Sequence, residues 1–134
     1  MHTILITGAG SGIGKSTAQL LSKRPNTRIL LVGRRKEKLE EVLNSLENPS
    51  NHAIGSVDVS KKEELIDFLA SDTANLKEHP LVSVFANAGI GGPNFFGPND
   101  RWKEIIDINL TGAYNTCMAS HPWLVKAGEQ GVDV

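Results

Sequence analysis

Short apolar runs alternate along this chain with longer stretches in which apolar residues recur every three or four positions. Thr3 to Thr7 encloses Ile4-Leu5-Ile6, Arg28 to Val32 reads Arg-Ile-Leu-Leu-Val, and Leu81 to Ala86 is almost wholly apolar. Continuous runs of this kind predict strands covered on both faces, and the last is apolar enough to read as a central strand. Ala53 to Val57 predicts a weaker strand. Gly12 to Lys23 predicts a helix with Ala18, Leu20 and Leu21 inward, ended by Arg24-Pro25-Asn26. Lys36 to Glu47 predicts a second, because Leu39, Val42, Leu43 and Leu46 fall at i, i+3, i+4 and i+7. Ser60 as N-cap, with Glu63 completing a capping box, predicts a third whose inner stripe is Leu65, Phe68 and Leu69. Asp100 suits the cap of a long helix through about Val125, and Gly131-Val132-Asp133-Val134 reads as a fifth strand that has barely begun.

Strands and helices taking turns predict an α/β fold, a doubly wound parallel sheet with right-handed crossovers, truncated at the start of strand five. The 134 residues suit one domain. With 40% hydrophobic and 22% charged residues, the chain has the balance of a globular protein. A net charge of −1, with both signs mixed along the chain, gives no case for nucleic acid or an anionic membrane as partner. Cys117 is the single cysteine, so no intrachain disulfide can form. The N-terminus enters a strand at once, leaving no room for a signal peptide, and no apolar run approaches the roughly 20 residues of a membrane span. Cytoplasm is the expected location.

The chemistry concentrates where strands end. Thr7-Gly8-Ala9-Gly10-Ser11-Gly12-Ile13-Gly14 joins the first strand to the first helix. A glycine-rich turn there gathers backbone N–H groups at the positive end of a helix, a site for a phosphate or pyrophosphate. Gly8, Gly10, Ser11, Gly12, Ile13 and Gly14 are the candidate contacts. Gly14-Lys15-Ser16 also resembles the end of a phosphate-binding P-loop, but that pattern needs glycine where Ala9 stands, and neither the second nor the fourth strand ends on an aspartate to hold Mg²⁺.

Gly33-Arg34-Arg35 follows the second strand. An NAD site usually offers a carboxylate at this point to bind both ribose hydroxyls. Guanidinium groups instead suit a 2′-phosphate, so Arg34 and Arg35 favour NADP(H) over NAD(H); the bland reading is a solvated basic turn. Lys36 and Lys38 read as surface charge. Asp58 suits either a hydrogen bond from the adenine amino group or a brace for the next turn. Asn87-Ala88-Gly89 lies at the carboxyl edge after the fourth strand, where small residues admit a cofactor and Asn87 can tie strands together. Asn109 sits inside a helix, where asparagine is unfavourable, which points to a specific hydrogen-bonding task or to a structural brace. His121 and Trp123 read as packing or surface groups, and no spacing suggests a metal site. Phe95 and Phe96 either line an apolar substrate pocket or, the favoured reading, pack their loop onto the protein or a partner subunit.

Together these residues resemble the short-chain dehydrogenase/reductase family. The glycine stretch matches its Thr-Gly-x-x-x-Gly-x-Gly motif, Asp58-Val59 its adenine contact, Asn87-Ala88-Gly89 its Asn-Ala-Gly motif, and Asn109 its helix asparagine. The resemblance implies a Rossmann fold, NAD(P)-linked interconversion of small-molecule alcohols and carbonyls, and assembly as a homodimer or homotetramer. Of the family's catalytic set it implies only Asn109, which helps to place a proton-relay water. The family's serine and Tyr-x-x-x-Lys pair has no counterpart here: the one tyrosine, Tyr114, is followed four residues on by Met118. The chain therefore reads as the cofactor-binding part of such an enzyme, inactive by itself. A non-catalytic nucleotide-binding module or redox sensor is the alternative.

Overall fold

The computed structural model describes residues 1–134. Four strands form one sheet: β1 (His2–Thr7), β2 (Thr27–Gly33), β3 (Ala53–Ser56) and β4 (Leu81–Phe85), in the order β3-β2-β1-β4. All pairings are parallel, with Leu5 opposite Leu30 and Val84, and Leu31 opposite Ile54. Helix α1 (Gly12–Leu21) and α2 (Lys36–Asn44) connect the first three strands, and α3 (Lys62–Leu69) leads towards β4. After β4 come α4 (Trp102–Ile106), a π-helical turn (Asp107–Thr111) and α5 (Gly112–Glu129).

The apolar runs bury both faces because successive side chains point to opposite sides of a strand. Ile6, Ile29 and Leu31 pack with Ala18, Leu21, Leu39, Val42 and Leu46 under α1 and α2. Leu5, Leu30 and Val32 pack with Leu65, Leu69 and Ala119 under α3 and α5. This is the Rossmann-like, doubly wound arrangement, with two helices on each face. Each fully buried leucine contributes about 1.5–3 kcal/mol against leaving it in water.

Several boundaries differ from the sequence reading. Leu20 is exposed, since it lies two residues from Ala18 and so on the far side of the helix. Helix α2 stops at Asn44, although Leu46 still enters the core. Ser60 does not cap α3, which starts at Lys62; its hydroxyl donates to Asp58 instead. β4 stands at one end of the strand order. The long helix is interrupted by the π turn and runs on to Glu129, while the Asp100 carboxylate accepts the Trp102 N–H at its start. Residues 131–134 form no strand. Gly131 adopts φ +78°, its N–H donates to the Gly128 carbonyl, and the Val132 N–H donates to that of Ala127. These two bonds close α5 in a Schellman cap, so the chain there is occupied in ending a helix. No helix is long and apolar enough to cross a membrane.

Candidate functional site

A cleft of about 680 Å³ runs along the carboxyl edge of the sheet. It passes from the end of β3 (Val57, Asp58, Val59) over the end of β2 (Gly33, Arg34, Arg35) and the glycine-rich turn after β1. It finishes at the end of β4 (Asn87, Ala88, Gly89, Ile90). All the candidate cofactor residues line it except Gly14, which supports the turn from below. Asn109 does not line it either, but reaches it through Ile90.

The turn owes its shape to three glycines. Gly8 and Gly12 take φ +65° and +55°, conformations that a side chain disfavours. A Cβ on Gly12 would meet no atom within 4 Å and would project into open space at the cleft. Gly14 is different. A Cβ there would collide with the Gly8 carbonyl and lie 2.7 Å from Asn87 Nδ2, so close backbone packing requires glycine. Helix α1 then begins with no side chain capping its N-terminus, which leaves its first N–H groups without a side-chain partner where Ser11, Gly12 and Ile13 line the cleft. Ile13, 77% exposed, stands beside them as an apolar wall. Lys15 is exposed on α1 and outside the cleft, and Ala9 is wholly buried in the core, so the P-loop reading has no lysine aimed at a phosphate.

Asn87 ties β4 to this turn. Its Nδ2 donates to the Thr7 and Gly8 carbonyls at 3.2 and 3.4 Å, while the Asn87 and Ala88 N–H groups both donate to the Thr7 hydroxyl. Asn109 lies in the π turn, where its Oδ1 accepts the Ile90 N–H and its Nδ2 donates to the Ile90 carbonyl, each at 2.8 Å. Both ends of the amide are thus used on backbone.

At the other end of the cleft, Asp58 Oδ1 accepts from the Ser60 N–H and hydroxyl, bracing the turn. Partial burial pushes its carboxyl pKa up, but the two Ser60 bonds and the positive charges of Arg34 and Lys61 outweigh this and hold it below the ordinary aspartate value. Arg34 and Arg35 are exposed, with their guanidinium groups unpaired. Lys38 carries an exposed charge, as its sequence suggests, and also borders the cleft. It lines the cleft with its stem beside Gly10, and its Nζ lies 3.6 Å from Glu41. Leu39, Ile90 and Ile108 line the cleft as well; nothing in their sequence context separates them from ordinary core positions. Phe95 and Phe96 are 64% and 107% exposed, so they neither pack their loop onto this chain nor enter the cleft.

A cleft of this size suits an elongated small molecule. The exposed N–H groups at α1 suit its phosphates, and the arginines at the end of β2 suit a further negative charge.

Comparison with known proteins agrees with this architecture. The short chain dehydrogenase family matches residues 2–132. An uncharacterized oxidoreductase of Listeria monocytogenes is 37% identical over 122 residues, covering 89% of this chain and 48% of that protein. A short chain dehydrogenase from Mycobacterium paratuberculosis, solved bound to NAD, superposes with a TM-score of 0.79 at 26% identity, covering 95% of this chain and 52% of that one. An alcohol dehydrogenase from the archaeon Thermococcus sibiricus, complexed with 5-hydroxy-NADP, does so with a TM-score of 0.79 at 28% identity, covering 96% and 55%. The chain spans about half the length of the curated relatives it matches. On the match over residues 2–132, the chain belongs to the short-chain dehydrogenase/reductase family.

Proposed function

We propose that residues 1–134 are the cofactor-binding domain of an NADP(H)-dependent oxidoreductase that passes hydride between the nicotinamide and an alcohol or carbonyl substrate. The observation that carries the cofactor choice is the end of β2. Arg34 and Arg35 stand in the cleft where a carboxylate would serve the ribose of NAD, and Asp58 is turned to Ser60.

In this reading the N–H groups opening α1 hold the pyrophosphate, in the space left by Gly12. Arg34, with Arg35, takes the 2′-phosphate. Asp58 and Val59 border the adenine, and the small residues Ala88 and Gly89 admit the nicotinamide end. The nicotinamide, when bound, supplies or accepts the hydride. Asn109 serves the reaction by holding the Ile90 peptide, which fixes the backbone along that end of the cleft and the relay water placed there. We also infer a homo-oligomer, since Leu110, Tyr114 and Met118, spaced four apart, remain exposed.

The test is a titration of the protein with NADPH and NADH, before and after Arg34→Ala. Charge-assisted hydrogen bonds are worth roughly 1.5–3 kcal/mol, about ten- to a hundredfold in affinity. NADPH should weaken by that factor and NADH change little. Equal losses, or tighter NADH binding by the parent, would refute the cofactor choice.

A further inference from the structure

Asn115 is a polar side chain in a place where helix α5 has no need of one. It is 5% exposed, on the buried side of α5 with Gly112, Thr116 and Ala119, and asparagine in a helix interior is unfavourable. Its Nδ2 donates to the Val59 carbonyl at 2.9 Å, across a gap of 56 residues in sequence. One turn earlier on the same helix, Gly112 makes room for the side chain of Val59: a Cβ at Gly112 would lie 2.6 Å from Val59 Cγ2. The helix thus grips one residue twice, by its carbonyl and by its side chain.

Val59 and its neighbour Asp58 line the β3 end of the cleft, and β3 itself stops at Ser56. The Val57 N–H still bonds to the Gly33 carbonyl, after which the chain leaves the sheet. The Ser60 and Lys61 bonds to Asp58 hold the turn to itself, and Glu64 accepts the Asp58 N–H at 3.4 Å from α3. Asn115 is what ties the turn to α5. We propose that Asn115 is a positioning residue for the adenosine end of the cleft, holding Asp58 and Val59 in place through the Val59 carbonyl while Gly112 receives the Val59 side chain. This rests on the reading of the cleft as a dinucleotide site.

Binding of 2′,5′-ADP and 5′-ADP, measured by calorimetry beside a thermal melt, tests it. The variants are Asn115→Ala and Gly112→Ala, which disturb Val59 from two sides. Thr116→Val is the control: it removes a buried bond of the same helix, from the Thr116 hydroxyl to the Gly112 carbonyl, without touching Val59. Asn115→Ala and Gly112→Ala should each raise the Kd for 2′,5′-ADP about three- to tenfold, the worth of one neutral hydrogen bond. Thr116→Val should leave it unchanged even where its melting temperature falls as far. In an enzyme that carries this chain together with the family's serine and Tyr-x-x-x-Lys pair, KM for the cofactor should rise with kcat unchanged. Equal affinity in the parent and Asn115→Ala overturns the proposal; if Asn115→Ala does not fold, Gly112→Ala decides by the same criterion. A parent that binds 5′-ADP but not 2′,5′-ADP refutes the NADP(H) choice alone, and the comparison is then scored on 5′-ADP. A parent that binds neither overturns both.

Discussion

Asn109 and Ile90 are joined by two hydrogen bonds that run in opposite directions, so the side-chain amide does for the Ile90 peptide what a neighbouring strand would do. β4 ends at Phe85, and the chain beyond it reaches the cleft without a ladder partner. Asn109→Ala leaves both groups of Ile90 to water. Two neutral bonds in a partly exposed setting are worth about 1–2 kcal/mol together. A thermal melt should register that loss, and in an enzyme that carries this chain together with the family's serine and Tyr-x-x-x-Lys pair kcat should fall more than cofactor affinity. An unchanged melt would mean that water replaces the amide at no cost.

Gly12 and Gly14 should respond differently to the same substitution. At Gly12 a side chain meets no atom within 4 Å, so Gly12→Val should fold and lose dinucleotide binding, with φ +55° costing about 1–2 kcal/mol. At Gly14 the side chain would strike the Gly8 carbonyl and Asn87, so Gly14→Val should lose both fold and binding. Circular dichroism beside cofactor titration separates the two. A folded Gly12→Val protein with parental affinity would place the phosphate elsewhere.

Arg28 is 7% exposed and faces no carboxylate; its guanidinium donates to the Ala74 and Thr73 carbonyls at 2.5 and 2.7 Å. It fastens the segment after α3 to β2. Arg28→Met should cost about 1–3 kcal/mol in a denaturant melt, because two carbonyls are left unpaired. Arg28→Lys should recover little, since an ammonium cannot span both acceptors as the planar fork does.

His52 joins the start of β3 to β2. Its Nδ1 accepts the Ile29 N–H at 3.0 Å, which leaves Nε2 as the donor to the Glu47 carbonyl at 2.8 Å. Burial lowers its pKa below the ordinary 6.5, the Glu47 bond opposes this, and the charge of Arg28 adds to it. The folded state therefore takes up the proton at lower pH than the unfolded chain does. This stabilisation is complete above about pH 6.5 and is lost as the pH falls towards the folded value. His79 acts in the same direction, chiefly through burial and then through the N-terminal ammonium and Arg28. The melting temperature should drop between about pH 7.5 and about 5.5, less in His52→Gln, and least with His79→Gln added. Parallel curves for all three would remove both histidines from the account.

The strands, their order of appearance and the faces of α1 to α3 are legible because periodicity and burial share one physical cause. Ile6 and Leu5 face opposite cores, as alternation demands. The cleft is legible because glycine and asparagine at strand ends answer to backbone geometry. What escapes is set by distant partners. Lys38 joins the cleft only because α2 packs its first turn over Gly10. Ser60 satisfies every local rule for a cap, yet Asp58 claims its hydroxyl. Gly131 to Val134 has the composition of a strand, but a left-handed glycine after a helix suits a C-cap equally well, and the carbonyls of α5 decide.

In the π turn from Asp107 to Thr111, the Gly112 N–H reaches back five residues to the Asp107 carbonyl. Such a turn holds one residue more than an α-helix needs. The surplus residue sets the angular offset between Asn109, which serves Ile90, and Asn115, which serves Val59. Winding the same residues as a regular α-helix, with no surplus taken up by the π turn, would rotate everything downstream by about 100°. Asn115 would swing away from Val59, and Tyr114 and Met118 would change sides. The π turn therefore sets which faces α5 presents, and this helix carries information in phase as well as in side chains.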